Sequence, residues 1–291
     1  MSENESDNAQ SRKLVPAYRD TFVHFLFGTP GNEPLLLDFL NAMLESDGQH
    51  PSRSVEVRNP FNPATFITDK YSILDVRATD ERGDIFVVEF QAAERKAFAE
   101  RMTYYGCRSF GGQMYQGTAY SSLHAVIVIA VTMYEMFPQL RSIHNAFQLT
   151  AKADARVVFT SKFQMHVLEA TEKKIDRVSE LPPKLGAWTD FYYYSHLKSE
   201  TEMTTLLQGH PMVQQAYGQY IQFNQDERLR ALDEAHQRFL HDLATDIEEA
   251  SEKARSERNI EIARNMRDKG CELGFIAEMT GLSPAEIDRL I

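Results

Sequence analysis

Two short segments, residues 71–79 and 84–91, are separated by a turn, and each carries one carboxylate that can meet the other: Asp75 and Glu89. Suppose Asp80 pairs with Asp84 across Glu81-Arg82-Gly83. Gly83 then falls where a three-residue hairpin loop needs a left-handed residue. In this register Leu74 faces Phe90, Val76 faces Val88 and Ala78 faces Phe86, so one side of the hairpin is continuously apolar. The other side sets Asp75 opposite Glu89 and Ile73 opposite Gln91, with Arg77 and Thr79 further along. A slip by one residue would scatter the apolar set over both faces. The hydrophobic pattern therefore selects, on its own, the register that joins the two carboxylates.

Two adjacent carboxylates repel, and each tends to keep its proton. A divalent cation removes that penalty, and hard oxygen donors suit Mg²⁺ or Mn²⁺, with the remaining positions left to water and a substrate phosphate. Such a metal lowers the pKa of its water and neutralises charge on phosphorus oxygens, which is the chemistry of phosphodiester hydrolysis. Gln91, two residues after Glu89 on the same face, is placed to orient that water. Spacing alone is a weak pattern, because an acidic pair on a hairpin face is more often plain solvent-facing polarity.

The elements that must hold this hairpin can be read from period and punctuation. Helices are expected over residues 17–27, stopped by Gly28-Thr29-Pro30-Gly31, and over 33–44, where Leu36, Leu37, Leu40 and Leu44 mark a core face. Residues 51–63 read as an irregular or strand-like connection. After the hairpin, a helix rich in small residues is expected over 97–116 with Gly117 as its stop. His124–Met133 is an unbroken β-branched run and reads as a fully buried strand. Two shorter strands are expected near 156–160 and 164–169, and an aromatic helix near 188–197. Gly106, Gly111, Gly112 and Gly117 lack the preceding strand of a phosphate loop and read instead as close packing of a helix on a sheet. Tyr192, Tyr193 and Tyr194 beside a tryptophan read as core.

From residue 226 the composition changes. Leu229, Leu232, Phe239, Leu243, Ile247, Ala250 and Ala254 form an apolar stripe, and Asp226/Arg230, Glu234/Arg238 and Glu249/Lys253 pair at i,i+4 on the other faces. This is a long solvated helix, an arm or coiled coil. Beyond it, Lys269-Gly270 and Thr280-Gly281 end two helices, and Ser283-Pro284-Ala285-Glu286 opens another with a capping box. The tail thus resembles a small helix-turn-helix unit, for which docking or oligomerisation is as good a reading as DNA contact. The expected organisation is a disordered N-terminus over 1–14, a main domain over 15–225, a charged helical arm over 226–258 and the helical tail over 259–291.

The 291 residues suffice for one large core or two modest domains, and 43% hydrophobic content fits a globular protein. No apolar run is long enough to span a bilayer, and the polar first residues are neither a signal nor a transit peptide. Cys107 and Cys271 are isolated, which gives no disulfide framework or zinc spacing and fits a reducing cytoplasm. A net charge of −11 works against a nucleic-acid partner unless basic residues cluster locally. They do so at Arg95, Lys96, Arg101 and Arg108, opposed there by Glu100.

The residues around the hairpin are similar to the Rpn-type recombination-promoting nuclease/transposase family, a bacterial branch of the PD-(D/E)XK nuclease superfamily. The resemblance is carried by Asp20-Thr21-Phe22-Val23-His24-Phe25-Leu26-Phe27-Gly28, by Leu36-Leu37-Asp38-Phe39-Leu40-Asn41-Ala42, by Asn59-Pro60 and Asp69-Lys70, by the hairpin ILDVRATDERGDIFVVEFQ, by Arg101 with Tyr104-Tyr105, and by the tail ARNMRDKGCELGFIAEMTGLSPAEIDRL. It spans nearly the whole chain and is loose over about 151–225. It implies an α/β restriction-endonuclease-like core, a mixed four-stranded sheet flanked by helices, with the C-terminal helical arm and small helical tail appended. It also implies metal at Asp75 and Glu89, with Asp20 as a further acidic ligand, and DNA as substrate. Gln91 stands where the superfamily usually has Lys, so cationic stabilisation must come from Arg77 or Arg101. His24 stands where the family's early helix often has Lys. Lys70, Arg77, Arg95 and Lys96 are the expected DNA contacts, and Asp75, Glu89, Gln91 and Arg101 the catalytic set. The expected activity is a Mg²⁺- or Mn²⁺-dependent DNA endonuclease linked to recombination or mobile elements. The alternative is a non-catalytic DNA-binding accessory protein with a degenerate site. A homodimer or higher homo-oligomer through the C-terminal helices is expected, and no membrane partner.

Overall fold

The computed structural model describes residues 13–61 and 76–290. Asp75, Lys70 and the first part of the expected strand 71–79 lie outside the described residues, as do residues 1–12. The chain divides into two units, residues 1–233 and 234–291.

The first unit is built on a six-stranded sheet in the order β1-β2-β3-β4-β6-β5. The strands are β1 (Val55–Val57), β2 (Val76–Asp80), β3 (Ile85–Gln91), β4 (Val126–Thr132), β5 (His144–Ala151) and β6 (Asp154–Glu169). β3, β4 and β6 run parallel in the middle, and the other pairings are antiparallel. The expected four strands thus become six. The segments near 156–160 and 164–169 are one continuous strand, and it takes β5 as an antiparallel edge partner.

The hairpin register is the one the apolar pattern selects. Val76 pairs with Val88 and Ala78 with Phe86, and Asp80 N–H donates to Asp84 O at 3.0 Å. Gly83 has φ +85° and turns the loop. Val76, Ala78, Phe86, Val88 and Phe90 all enter one core.

That core lies under α1 (Asp20–Gly28), α2 (Glu33–Ser46), α4 (Pro183–Tyr194) and α6 (Pro211–Gln225), with the short α5 (Glu200–Leu206) beside them. Trp188, Tyr192, Phe39, Phe27 and Phe90 interlock there at ring separations of 4.8–6.3 Å, so Tyr192 is core as expected. Neither α5 nor α6 was foreseen.

The opposite face of the sheet is covered by α3 (Phe98–Gly111), through Phe98 and Met102 against Ile85, Val87, Val126 and Val128. α3 ends five residues earlier than its small residues suggested, at Gly111, and the N–H of Gly112 after it closes back on Arg108 O. Covered on both faces, β3 and β4 are buried along their entire lengths, as an apolar parallel strand must be.

α7 (Glu227–Asp268) is one uninterrupted helix of 42 residues that starts in the first unit. In the second unit it is followed by α8 (Leu273–Thr280) and α9 (Pro284–Asp288), and Ala263, Ile276 and Ile287 form a small core of their own. Ser283 and Glu286 make the anticipated capping box. Among the described residues no helix is long and apolar enough to cross a membrane.

Candidate functional site

Alternation along β3 points Ile85, Val87, Glu89 and Gln91 toward α3. The first two belong to the apolar layer beneath that helix. The last two carry the polarity to the C-terminal end of the strand, beside Ala130 and Thr132 of the parallel neighbour β4. Glu89 is 7% exposed and Gln91 9%. The carboxylate is therefore not a solvent-facing hairpin residue. A buried carboxylate is costly unless paired, which makes its partners informative.

One partner comes from α3. Arg101 Nη2 donates to Glu89 Oε1 at 2.7 Å and to Gln91 Oε1 at 2.8 Å. The two side-chain oxygens thus converge on a single point held by a cation. Arg101 is aimed there by two features of the chain. Ala97 adopts a left-handed conformation, φ 60° and ψ 25°, immediately before α3, and its carbonyl accepts from Arg101 N–H at 2.9 Å. Further along, Gly106 lets α3 lie directly on the sheet: a Cβ there would come within 2.8 Å of Val128 and Phe163. The guanidinium also lies over the Phe98 ring, 5.1 Å from its centroid, a favourable cation–π geometry.

Tyr134, just past the end of β4, completes this rim and was not foreseen. Its ring packs edge-on against Phe98, and its hydroxyl is buried with no hydrogen-bond partner among the described residues. Burial, with Glu94 and Glu169 adding to it and Arg101 opposing, raises its pKa above the usual tyrosine value. The available signal was positional: in open α/β sheets, sites gather beyond the carboxyl ends of parallel strands.

Of the expected site residues, the structure brings together Glu89, Gln91 and Arg101. Arg77 on β2 pairs with Val87 and has an exposed side chain. Arg95 and Lys96 are exposed on the segment between β3 and α3. Asp20 is half-buried as the first residue of α1, where a carboxylate complements the helix dipole. Among the described residues no three His, Cys, Asp or Glu side chains come together as a metal cluster.

The donor chemistry nevertheless suits a hard divalent cation, with carboxylate and amide oxygens converging on one cationic position.

The family model for PD-(D/E)XK nuclease family transposases matches residues 18–250, and that for the C-terminal HTH domain of the Rpn/YhgA-like nuclease family matches residues 256–291. No curated protein and no solved structure matches the chain. With four fifths of its length matched by the first model and the tail by the second, the chain belongs to the PD-(D/E)XK nuclease transposase family, in its Rpn/YhgA-like branch.

Proposed function

We propose that the protein is a divalent-metal-dependent DNA endonuclease, and the observation that carries this is the buried Glu89, Gln91 and Arg101 cluster at the end of β3. The described pairs of the β2–β3 hairpin follow the register in which Asp75 is expected opposite Glu89. In this reading Asp75 and Glu89 hold Mg²⁺ or Mn²⁺, with Asp20 the candidate for a further acidic contact. The bound metal would supply an activated water and charge neutralisation at the scissile phosphate.

The chain's own residues do the rest. Gln91 offers its amide to orient the water. Arg101 neutralises Glu89 before the metal arrives and supplies the cation that Gln91, standing in place of the usual lysine, does not. Lys70, Arg77, Arg95 and Lys96 contact DNA phosphates, a role for which exposure of the last three is necessary. The HTH match supports a second DNA contact through the tail, and a link to recombination or mobile elements follows from the family. Leu243 and Ile247, exposed one turn apart on α7, support homo-oligomerisation through that helix.

The test is cleavage of supercoiled plasmid by the purified chain in Mg²⁺, Mn²⁺ or EDTA, beside Asp75→Ala and Glu89→Gln. Metal-dependent nicking that both variants lose supports the endonuclease. DNA retardation without cleavage in either metal would favour a non-catalytic DNA-binding accessory protein.

A further inference from the structure

α3 leaves the Glu89 site carrying a stripe of alternating cations and aromatic rings. Arg101, Tyr104, Tyr105 and Arg108 are spaced three and four residues apart and share one side of the helix, away from Phe98, Met102, Gly106 and Ser109, which are buried beneath it. Arg101 lies at the site itself. Tyr105 is half-buried between Arg101 and Arg108, which both lower its pKa against the larger effect of burial. Tyr104 is 58% exposed, and its ring lies 5.7 Å from that of Tyr105 at 59°. Two more exposed tyrosines, Tyr115 and Tyr120, follow α3 in the chain. Cations at Arg95, Lys96, Arg101 and Arg108 outnumber the carboxylates Glu94 and Glu100 along the same stretch, so this strip is locally positive on a chain of net charge −11.

From this we infer that the α3 stripe is a stacking platform for unpaired bases of single-stranded DNA next to the scissile phosphate, with Tyr104 as the principal ring and Arg108 on the backbone. Duplex DNA presents phosphates to such a surface but no free base face. Only an unpaired strand uses both the rings and the cations. The preferred substrate is therefore a DNA tail, flap or gap rather than an uninterrupted duplex. This inference rests on the nuclease reading only for the word substrate; the binding itself stands apart from cleavage.

The experiment is fluorescence anisotropy in EDTA, so that nothing is cut, using the full chain with labelled oligo(dT) and a labelled hairpin duplex of equal length. The variants are Tyr104→Ala, Tyr104→Phe and Arg108→Ala, each checked for an unchanged melting temperature. Tyr104→Ala is expected to weaken oligo(dT) binding about tenfold, the usual effect of losing one stacked ring. Duplex binding should change less than twofold, and Tyr104→Phe should bind oligo(dT) like the parent. Arg108→Ala should weaken both ligands and flatten their salt dependence. Equal losses on both ligands in Tyr104→Ala, or no loss on either, overturn the platform. A selective oligo(dT) loss in a chain that cuts neither plasmid nor a tailed or flapped duplex in Mg²⁺ or Mn²⁺ upholds the platform and overturns the nuclease. Plasmid cleavage with Tyr104→Ala indistinguishable from the parent on oligo(dT) does the reverse.

Discussion

His144 Nε2 and His166 Nδ1 stand 3.0 Å apart across β5 and β6, with their rings nearly parallel. Only one proton fits between those nitrogens. Ser46 Oγ meets the far nitrogen of His144 at 3.0 Å, and Asp47 is the nearby carboxylate that favours charge on either ring. Burial outweighs it. His144 is pushed down to about 4, with the His166 charge adding to the effect, and His166 is also lowered.

The pH dependence has a definite sign. The unfolded chain takes up a proton at each histidine near pH 6.5, whereas the native chain resists, so their contribution is complete above 6.5 and is lost as pH falls toward about 4. For His144 that is about 3 kcal/mol. Asp190 works the other way: burial raises it to about 6, opposed by Lys198, so its native state gains relative stability as pH falls from 6 toward 3.8. Urea unfolding between pH 7 and 4, followed by Trp188 fluorescence, should show Asp190→Asn losing stability more steeply than the parent. His144→Gln should lose it less steeply. Parallel curves for all three chains would refute the assignment.

Lys174 is buried against Glu169 at 2.5 Å, and Glu169 also accepts from Met136 N, Phe137 N and Asn145 Nδ2. Removing only the cation strands a buried carboxylate, so Lys174→Met should cost about 3–5 kcal/mol in the same unfolding assay. Glu169→Gln with Lys174→Met should recover part of that. A double variant no better than the single would mean that packing of the lysine stem, not charge, sets the loss.

Gly83 combines a φ of +85° with a Cβ position 2.6 Å from the His124 ring. Gly83→Ala should destabilise by roughly 2 kcal/mol, from left-handed strain and the clash together. Adding His124→Ala relieves only the clash, so the double-variant cycle should show coupling and a residual cost. Additive losses would show that the ring simply moves aside.

Arg101→Gln removes from the buried Glu89 the cation that Arg101 supplies. Plasmid cleavage is expected to fall about a hundredfold or more, as when one transition-state donor is removed. The melting temperature should also fall in EDTA and recover partly in Mg²⁺, since a cation at Glu89 replaces the lost charge. A variant equally stable with and without Mg²⁺, but inactive, would place Arg101 on substrate alone.

The hairpin was legible in the sequence because its information is local: Val76, Ala78, Phe86, Val88 and Phe90 can share a face in only one register, and Gly83 marks the turn. The buried strand β4 was legible for the same reason, as an unbroken β-branched run. β5 was not, because His144–Ala151 shows no alternation and lies half-exposed at the sheet edge. The reach of β6 was hidden likewise, since its first half leaves Val157, Val158 and Phe159 in water. The burial of Glu89 could not be read from the hairpin at all. It is imposed by β4 and α3, which arrive from elsewhere in the chain, and α3 brings Arg101 with it. The Glu169–Lys174 and His144–His166 contacts were missed because nothing in their spacing distinguishes buried polar pairs from solvated ones.

Gly106 has no side chain to offer a substrate, yet it governs how deeply α3 beds into the sheet. Replacing it with alanine would lift the helix off Val128 and Phe163 and draw Arg101, five residues earlier in the helix, back from the Glu89 and Gln91 oxygens. Under the proposed function, the site can thus be silenced by a mutation that leaves every charged group in place. Drift at this glycine would leave a copy in which Glu89, Gln91 and Arg101 all still read as intact while no longer meeting.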